Sequence, residues 1–486
     1  LTQSVTTLGE NAFSGAMRLK SYGDISSVTV IPDGCFADCQ QLEEITLSPV
    51  TTSVGARAFS DCTLLTQIVL PGNVASIGDQ AFDGCTLLTQ VTLPSTVTQM
   101  GTDVFVSCPA LTGVEVTGNG NSVTLEGGNL YFGTQLVRCF AGEEGDTSFT
   151  LPAGKTAVAA YAFENAPAFT AVDLSGATQL VRGSLYGLNS LVSLTLPSLD
   201  FGGNGYLAAG FGATQPETSV SQSYYIPATL TTVALTGDAA AVADYAFYGA
   251  TALSSVTGLD SVTSIGDGAF AYTAMTAFTI PATVTSFGAR VFEGCDLDAY
   301  TVAVGNNTLS EGAYGCLYQG TTLVAVPTSL TEVTIANTAT EIAPYAFFNS
   351  AAETLTVPSS VQSIGYAALG NMQSLTSLSV PVIGDGEDNS YMGYVFGSEM
   401  SIAAPSQTGG LSSLSVSRPG RLPSNLKSLT VTGTHTSIPD MAFAMLQNVT
   451  QITIKNDGDA PVTSYGDFSY YRTAVTEQTF ADGVTH

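Results

Sequence analysis

The residues able to do acid, base or metal chemistry are few. His435 and His486 are the whole histidine complement of 486 residues. A Ser-His-Asp or Cys-His arrangement has to recruit one of them as its base. His435 sits in Gly433-Thr434-His435-Thr436-Ser437-Ile438, at a variable position where a solvated side chain is expected. Asp385-Gly386-Glu387-Asp388-Asn389 begins with the acidic spacing of a calcium loop. It continues with Ser390 and Phe396, where such a loop needs a glycine and a bidentate glutamate. Asp457-Gly458-Asp459 reads as a turn. Among eight cysteines there is no Cys-x-x-Cys pair, and Cys35-x-x-x-Cys39 has no second half, so zinc is disfavoured. No cofactor and no catalytic residue is expected.

What positions these residues is a repeat. Ala58-Phe59, Ala81-Phe82 and Val104-Phe105 recur at a spacing of 23, each followed three residues later by Cys62, Cys85 or Cys108. Between them runs Leu65-x-x-Ile68-x-Leu70-Pro71-x-x-Val74-x-x-Ile77-Gly78, then Leu88-x-x-Val91-x-Leu93-Pro94-x-x-Val97-x-x-Met100-Gly101. A fixed period of this length marks a solenoid, in which one unit stacks on the next. The Leu-x-x-Ile-x-Leu half alternates and reads as a short strand with Ile45, Leu47, Ile68, Leu70, Val91 and Leu93 inward, stopped by prolines such as Pro71, Pro94, Pro197, Pro281, Pro358 and Pro381. The Val-x-x-Ile-Gly-x-x-Ala-Phe half spaces its apolar residues three and four apart, which predicts a turn or two of helix or 3-10 helix. The glycine predicts a bend between the two halves.

One aromatic per repeat predicts an internal phenylalanine spine, traced from Phe13 through Phe247 and Phe443 to a degenerate last copy at Phe468, with Leu185 and Leu369 as replacements. Cys39, Cys62, Cys85 and Cys108 share one repeat position that Ala16, Ala166, Ala250, Thr273 and Ser350 fill elsewhere. A site that accepts Ala and Ser holds a small buried group, so stacked free thiols are expected.

Four intervals are long. Leu130 to Val137 and Leu317 to Val324 read as hairpins around Gly133 and Gly320, within insertions near 121–150 and 305–327. The insertions near 198–226 and 382–424 carry Phe211-Gly212 and Phe396-Gly397 in Gly/Ser-rich surroundings and read as loops leaving the stack. Phe163 to Phe347 and Leu185 to Leu369 span equal lengths, which predicts a five-repeat cassette duplicated in tandem. One domain over 1–486, of about 13 to 14 repeats, is expected.

A formal charge of −28, from 40 acidic and 12 basic residues, leaves no basic groove for a phosphate backbone, so nucleic acid is excluded as a partner. No apolar run is long enough to span a membrane, so direct membrane insertion of this segment is not expected. The chain opens on Leu1, and Val5-x-x-Leu8-Gly9-x-x-Ala12-Phe13 starts within a repeat, so a removed leader or anchor and a missing N-terminal cap are expected. A monomer is expected.

The string Leu65-x-x-Ile68-x-Leu70-Pro71-x-x-Val74-x-x-Ile77-Gly78-x-x-Ala81-Phe82-x-x-Cys85 resembles the BspA-type leucine-rich repeat of bacterial and protist surface proteins, and the likeness runs over residues 5 to 470 or so. The resemblance implies an α/β solenoid. This is a right-handed superhelix with one short parallel strand per repeat on the concave side and short helical or 3-10 turns on the convex side. It also implies a secreted or cell-surface-anchored, non-catalytic role, with adhesion to an extracellular host protein, matrix or glycan. It carries no catalytic residue and no ligand identity to this chain.

The outward strand positions form a column that includes Thr46, Thr92, Thr195, Thr257, Thr279, Thr334, Thr356, Thr430 and Thr453, interrupted at Val69, Glu115 and Asp173. Threonine suits an exposed strand face, and the same column is a hydroxyl-rich platform for a macromolecule; the interruptions speak against an ice-binding array. Tyr206, Phe211, Tyr224 and Tyr225 in one loop insertion and Tyr391, Tyr394 and Phe396 in the other either present a recognition surface or seal the solenoid edge, with packing favoured for Phe211 and Phe396. Two alternatives stay open. One is a passive stalk. The other is a polysaccharide-degrading enzyme of parallel β-helix type, whose coils are of similar length and carry paired carboxylates, although the helical spacing here differs from three strands per coil.

Overall fold

The structure is a computed structural model, and it describes residues 5–20, 24–140, 146–164, 166, 168–215, 226–386, 388–403, 413–417, 422–456 and 462–480. These group into two compact units, Leu1–Gly237 with Ser255–Gly258, and Asp238–Ser254 with Leu259–His486.

Each unit is a parallel-stranded solenoid of repeats. Most of the described coils contribute two strands. The longer ones come from the Leu-x-x-Ile-x-Leu half: Gln67–Val69, Gln90–Pro94 and Gly113–Thr117 form one parallel sheet in the first unit. In the second unit Thr354–Thr356, Ser377–Val380, Ser428–Thr432, Gln451–Lys455 and Glu477–Phe480 form another. The shorter strands fall just before the repeat glycine, as in Ser53–Val54, Ser76–Ile77 and Gln99–Met100, or before Pro32 in its place for Val30–Ile31. Ile68, Leu70, Val91 and Leu93 are buried, as their alternation requires.

The expected helical turns are absent from the repeats. Among the described residues the helices are Leu207–Gly210 and Met392–Val395, both inside insertions, with one 3-10 turn at Ala313–Gly315. The repeat's turn half is held differently. The N–H groups of Arg57, Phe59 and Asp61 donate to the carbonyls of Asp79, Ala81 and Asp83 one coil on, while those of Ala58, Ser60 and Cys62 close i to i−3 turns in their own coil. Half the donors therefore leave the coil, and a helix, which keeps all of them, cannot form. The chain accomplishes this with two left-handed residues per turn, four apart: Arg57 and Asp61 (φ 53 and 58), then Gln80 and Gly84 (φ 55 and 73). Apolar spacing of three and four reports a buried turn and does not specify its hydrogen bonds.

The glycine before this turn has a reason other than a left-handed bend, since Gly55, Gly78 and Gly101 all have φ outside the positive range. A Cβ on Gly101 would stand 2.4 Å from the backbone nitrogen of Asp79 in the preceding coil, and one on Gly78 would stand 2.3 Å from that of Ala56. The residue is small because the coils touch there. Ala159 and Ala343 replace it in the coils that follow the two hairpins.

The spine stacks. Ring centroids of Phe36, Phe59 and Phe82 follow at 5.4 and 5.5 Å with planes within 3°, and Phe247, Phe270 and Phe292 follow at 5.1 and 5.2 Å. The last rung is Tyr470 and not Phe468. Phe443 N–H donates to the Ser469 carbonyl, the Tyr470 ring lies 5.1 Å from Phe443, and Phe468 takes the left-handed position with φ 56.

The same hydrogen bond exposes a rung hidden in each long interval. Cys139 donates to Ala162, Leu185 to Gly210, Val326 to Ala346 and Leu369 to Val395. Cys139, Phe211, Val326 and Phe396 thus stand in register with the spine, all buried. The two Phe-Gly insertions do not leave the stack at those residues, and the duplicated cassette carries two coils beyond the five counted in the sequence.

The hairpins form as expected, around Gly133 (φ 58) and Gly320 (φ 60), and each gains a third strand, Val123–Glu126 and Leu309–Glu311. Their last strands, Gln135–Arg138 and Thr322–Ala325, also pair in parallel with the short strands of the next coil. Arg138 locks the first hairpin down. Its buried guanidinium meets Glu164 at 2.7 Å and the carbonyls of Tyr161 and Cys108 at 3.0 and 3.2 Å.

Phe82→Ala is expected to cost about 3–5 kcal/mol, the range for a fully buried ring. Phe468→Ala, outside the spine, should cost far less. Denaturant melts of both variants check this.

Candidate binding face

The longer-strand face brings the threonine column together as spaced in the sequence. Val69, Thr92 and Glu115 pair in register in the first unit, as do Asp173, Thr195, Ala234 and Thr257. In the second unit Thr279 pairs with Thr301, and Thr356, Ser379, Thr430, Thr453 and Thr479 form a continuous row. The bridges Glu44 to Gln67 and Glu332 to Thr354 bring Thr46 and Thr334 to the same column by register. Thr46, Thr257, Thr279, Thr334 and Thr356 are exposed, and Thr92, Thr195, Thr430 and Thr453 half-buried. Thr301 also belongs to the column: in Leu297-x-x-Tyr300-x-Val302 a tyrosine and a valine stand where most strands carry the inward aliphatic pair, and Thr301 lies between them.

Other threonines are committed to the scaffold. Residues just before both kinds of strand turn their hydroxyls one coil back: Thr89 Oγ1 donates to the Thr66 carbonyl at 3.0 Å, Thr263 to Ala240 at 2.9 Å and Thr376 to Glu353 at 2.9 Å. Much of the threonine content therefore reports an inter-coil bond to a backbone carbonyl, whereas in the outward column Thr92 Oγ1 donates to the neighbouring Glu115 side chain at 3.4 Å.

The acidic residues divide in the same way. The Oδ1 atoms of Asp33, Asp79, Asp244, Asp267 and Asp440 each accept a backbone N–H from the next coil at 2.6 to 2.8 Å. A groove of about 890 Å³ in the first unit is lined by Asp33, Asp38, Asp61, Asp79 and Asp83. Among the described residues no cluster of His, Cys, Asp or Glu is arranged to hold a metal ion. Asp385 closes a turn by accepting Asn389 N–H at 2.9 Å and Nδ2 at 2.7 Å. Glu387, Tyr224, Tyr225, His486 and Asp457 to Asp459 lie outside the described residues.

His435 is not simply solvated. It is half-buried, with Nε2 2.9 Å from the Thr432 carbonyl and 3.2 Å from that of Pro381, and its backbone N–H donates to Asn456. That arrangement makes the imidazole a clasp between segments, with its Nε2 already engaged.

The described loop tyrosines, Tyr206, Tyr391 and Tyr394, turn inward. Tyr206 and Tyr391 are buried, and the Tyr391 hydroxyl accepts the Met400 N–H at 3.4 Å. Half-buried Tyr394 packs its ring against Tyr366 at 5.3 Å. Phe211 and Phe396 are spine rungs, so these tyrosines follow the chain into the stack.

The thiols form the expected ladder. Cys62, Cys85 and Cys108 are free and buried, and each Sγ donates at 3.1 Å to the carbonyl of Phe36, Phe59 or Phe82. Burial pushes Cys62 and Cys108 up to about 12. A site of this kind stacks well and reacts poorly.

The sequence pattern of the BspA type leucine rich repeat region matches in six copies, over residues 1–127, 218–319, 326–396 and 422–486, more than half of the chain. The chain belongs to the BspA-type leucine-rich repeat family. Solved structures with a similar trace include a leucine rich cell surface protein of Faecalibacterium prausnitzii (20% identity, 86% of this chain and 88% of that one, TM-score 0.35). A leucine-rich repeat protein of Bacteroides ovatus follows (19% identity, 85% of each chain, TM-score 0.36), as does the pneumococcal vaccine antigen PcpA (15% identity, 86% and 85%, TM-score 0.34). Likenesses this distant carry no argument of their own. No curated protein matches this member of the BspA-type family.

Two outcomes follow from the buried groups. In the folded protein at pH 8, Cys62, Cys85 and Cys108 should resist iodoacetamide, and all should react once the chain is unfolded, as mass spectrometry would count. Burial and the neighbouring Asp79 carboxylate raise the Asp103 carboxyl above 3.8. The folded chain therefore holds that proton more tightly than the unfolded chain does. Its stabilising effect is complete below the unfolded value and is lost as pH rises through the folded one. Asp103→Asn, which also suits the left-handed φ of 56 there, should raise Tm at pH 7, with the gain vanishing below about pH 4.

Proposed function

We propose that this chain is a secreted or surface-anchored, non-catalytic binding protein that takes an extracellular host protein, matrix component or glycan on the outward face of its longer strands. The observation that carries the reading is the registered row Thr356, Ser379, Thr430 and Thr453, which is uncharged in a chain of net charge −28. Uncharged hydroxyls on a rigid sheet accept and donate hydrogen bonds without the desolvation cost of carboxylates. Membership of the BspA-type family agrees with it.

The polysaccharide-degrading alternative keeps one specific observation in its favour. The turn half is not helical, so the helical spacing that set this chain apart from a β-helix falls away, and the repeat pattern itself now separates the two.

Screening the chain against arrays of glycans and matrix proteins decides between these readings. A ligand is expected, and Thr356→Glu with Thr430→Glu should weaken it at least tenfold without lowering Tm. Binding untouched by both substitutions would point to a stalk. Turnover of a polysaccharide on the array would sink the non-catalytic reading.

A further inference from the structure

Tyr314 stands apart from the other tyrosines that occupy left-handed backbone positions. Tyr161, Tyr245, Tyr272 and Tyr345 each pack against another ring, at centroid distances of 4.9 to 6.0 Å. Tyr314 holds φ 57 in the loop between Leu309–Glu311 and Leu317–Gln319, is 57% exposed, and has no ring partner among the described residues. A strained, exposed aromatic side chain persists only where the surroundings impose it.

Those surroundings are two close approaches. A Cβ on Gly315 would lie 2.6 Å from Ala299 Cβ, and one on Gly312 would lie 2.3 Å from the Tyr318 ring. The loop is therefore clamped against the strand Ala299–Val302 on one side and its own hairpin on the other. Tyr314 forms one wall of a groove of about 410 Å³, whose polar lining is Glu332, Thr334, Asn337, Thr354 and Thr356. Thr334 and Thr356 belong to the outward threonine column. The insertion thus raises an aromatic plate beside that column.

We propose that this groove is a subsite for a neutral saccharide; the assignment rests on the reading of the longer-strand face as a binding surface. A pyranose has an apolar C–H face and a rim of hydroxyls. The groove offers an exposed ring for the first, and carboxylate, amide and hydroxyl groups for the second. No lysine or arginine lines it, so a sialylated, uronic or sulfated sugar would bring its charge to Glu332 without a counter-charge.

Calorimetric titration of the whole chain with neutral cello-, malto- and manno-oligosaccharides, alongside sialyllactose and a heparin oligosaccharide, tests the assignment. At least one neutral series should bind and the anionic ones should not. Tyr314→Ala should weaken binding roughly tenfold, Tyr314→Phe should retain it, and Glu332→Gln should weaken it several-fold. Tyr314→Gly, which removes the ring together with the backbone strain, should weaken binding at least as much as Tyr314→Ala while Tm stays level or rises, so that the loss cannot be assigned to unfolding. No binding by any neutral member, binding indifferent to Tyr314, or preference for the anionic sugars would overturn the proposal. If matrix-protein binding still responds to Thr356→Glu in that event, the face survives as a protein-binding surface and only the saccharide subsite is lost. If neither responds, both readings fall.

Discussion

A hydrogen bond that leaves its own coil is the constraint on which both units depend. In a helix each N–H is satisfied four residues back, and a neighbour can sit at any distance that packing allows. Here alternate N–H groups of the turn half, as at Arg57, Phe59 and Asp61, and the strand N–H groups are satisfied only by the adjacent coil. Coils are consequently locked about 5 Å apart, the spacing of paired strands, and equivalent residues meet one another. Everything periodic in the sequence follows from that meeting. A position must suit itself, since its neighbour above and below is another copy.

Each column answers this in its own chemistry. Phenylalanine answers with nearly parallel rings, cysteine with a thiol that donates to a spine carbonyl, and glycine with the absence of a Cβ where backbones nearly collide. Aspartate after the glycine caps an N–H one coil on, and threonine before a strand donates one coil back. Like charges stacked at this spacing would repel strongly. The capping aspartates commit one carboxylate oxygen to a backbone donor of the next coil, so they hold the stack together as well as carrying charge. This gives the acidity an architectural component distinct from solubility.

How much of this is legible in the sequence depends on which interaction writes the pattern. Burial writes periodicity, so the strands, the spine, the cysteine ladder and both hairpins can be read directly. Hydrogen-bond direction writes almost nothing. Val74-x-x-Ile77-Gly78-x-x-Ala81-Phe82 looks helical by spacing, and only the pair of left-handed residues, Gln80 and Gly84, distinguishes it from a helix. Glycine, aspartate and asparagine tolerate such positions, as at Gly84, Asp61 and Asn371, whereas Arg57 and Gln80 give no sign of theirs. Rungs filled by Cys139 and Val326 are invisible for a different reason: once an insertion shifts the spacing, a single small apolar residue cannot be told from its neighbours. The outward threonine column was readable in position, whereas the inward turn of Tyr206 and Tyr391 was not, because an aromatic in a Gly/Ser-rich stretch carries no periodicity to orient it.

The surface available for recognition is what remains after these columns have been assigned. Side chains that accept or donate across coils cannot also meet a ligand without giving up a bond inside the stack, which removes the capping aspartates, the back-bonding threonines, the thiols and His435 from consideration. The outward strand column faces solvent by the alternation of the strand itself, and its residues are not needed to satisfy the backbone, whose bonds run within the sheet. Selection for binding can therefore act there with little effect on folding. The insertions enlarge that freedom. Because each returns to register at a spine rung, Cys139, Phe211, Val326 or Phe396, the chain between can vary without disturbing the coils on either side. A side chain carried by such an excursion beside the strand face, as Tyr314 is, adds to a flat hydroxyl surface the one feature that a regular array cannot generate for itself, a wall.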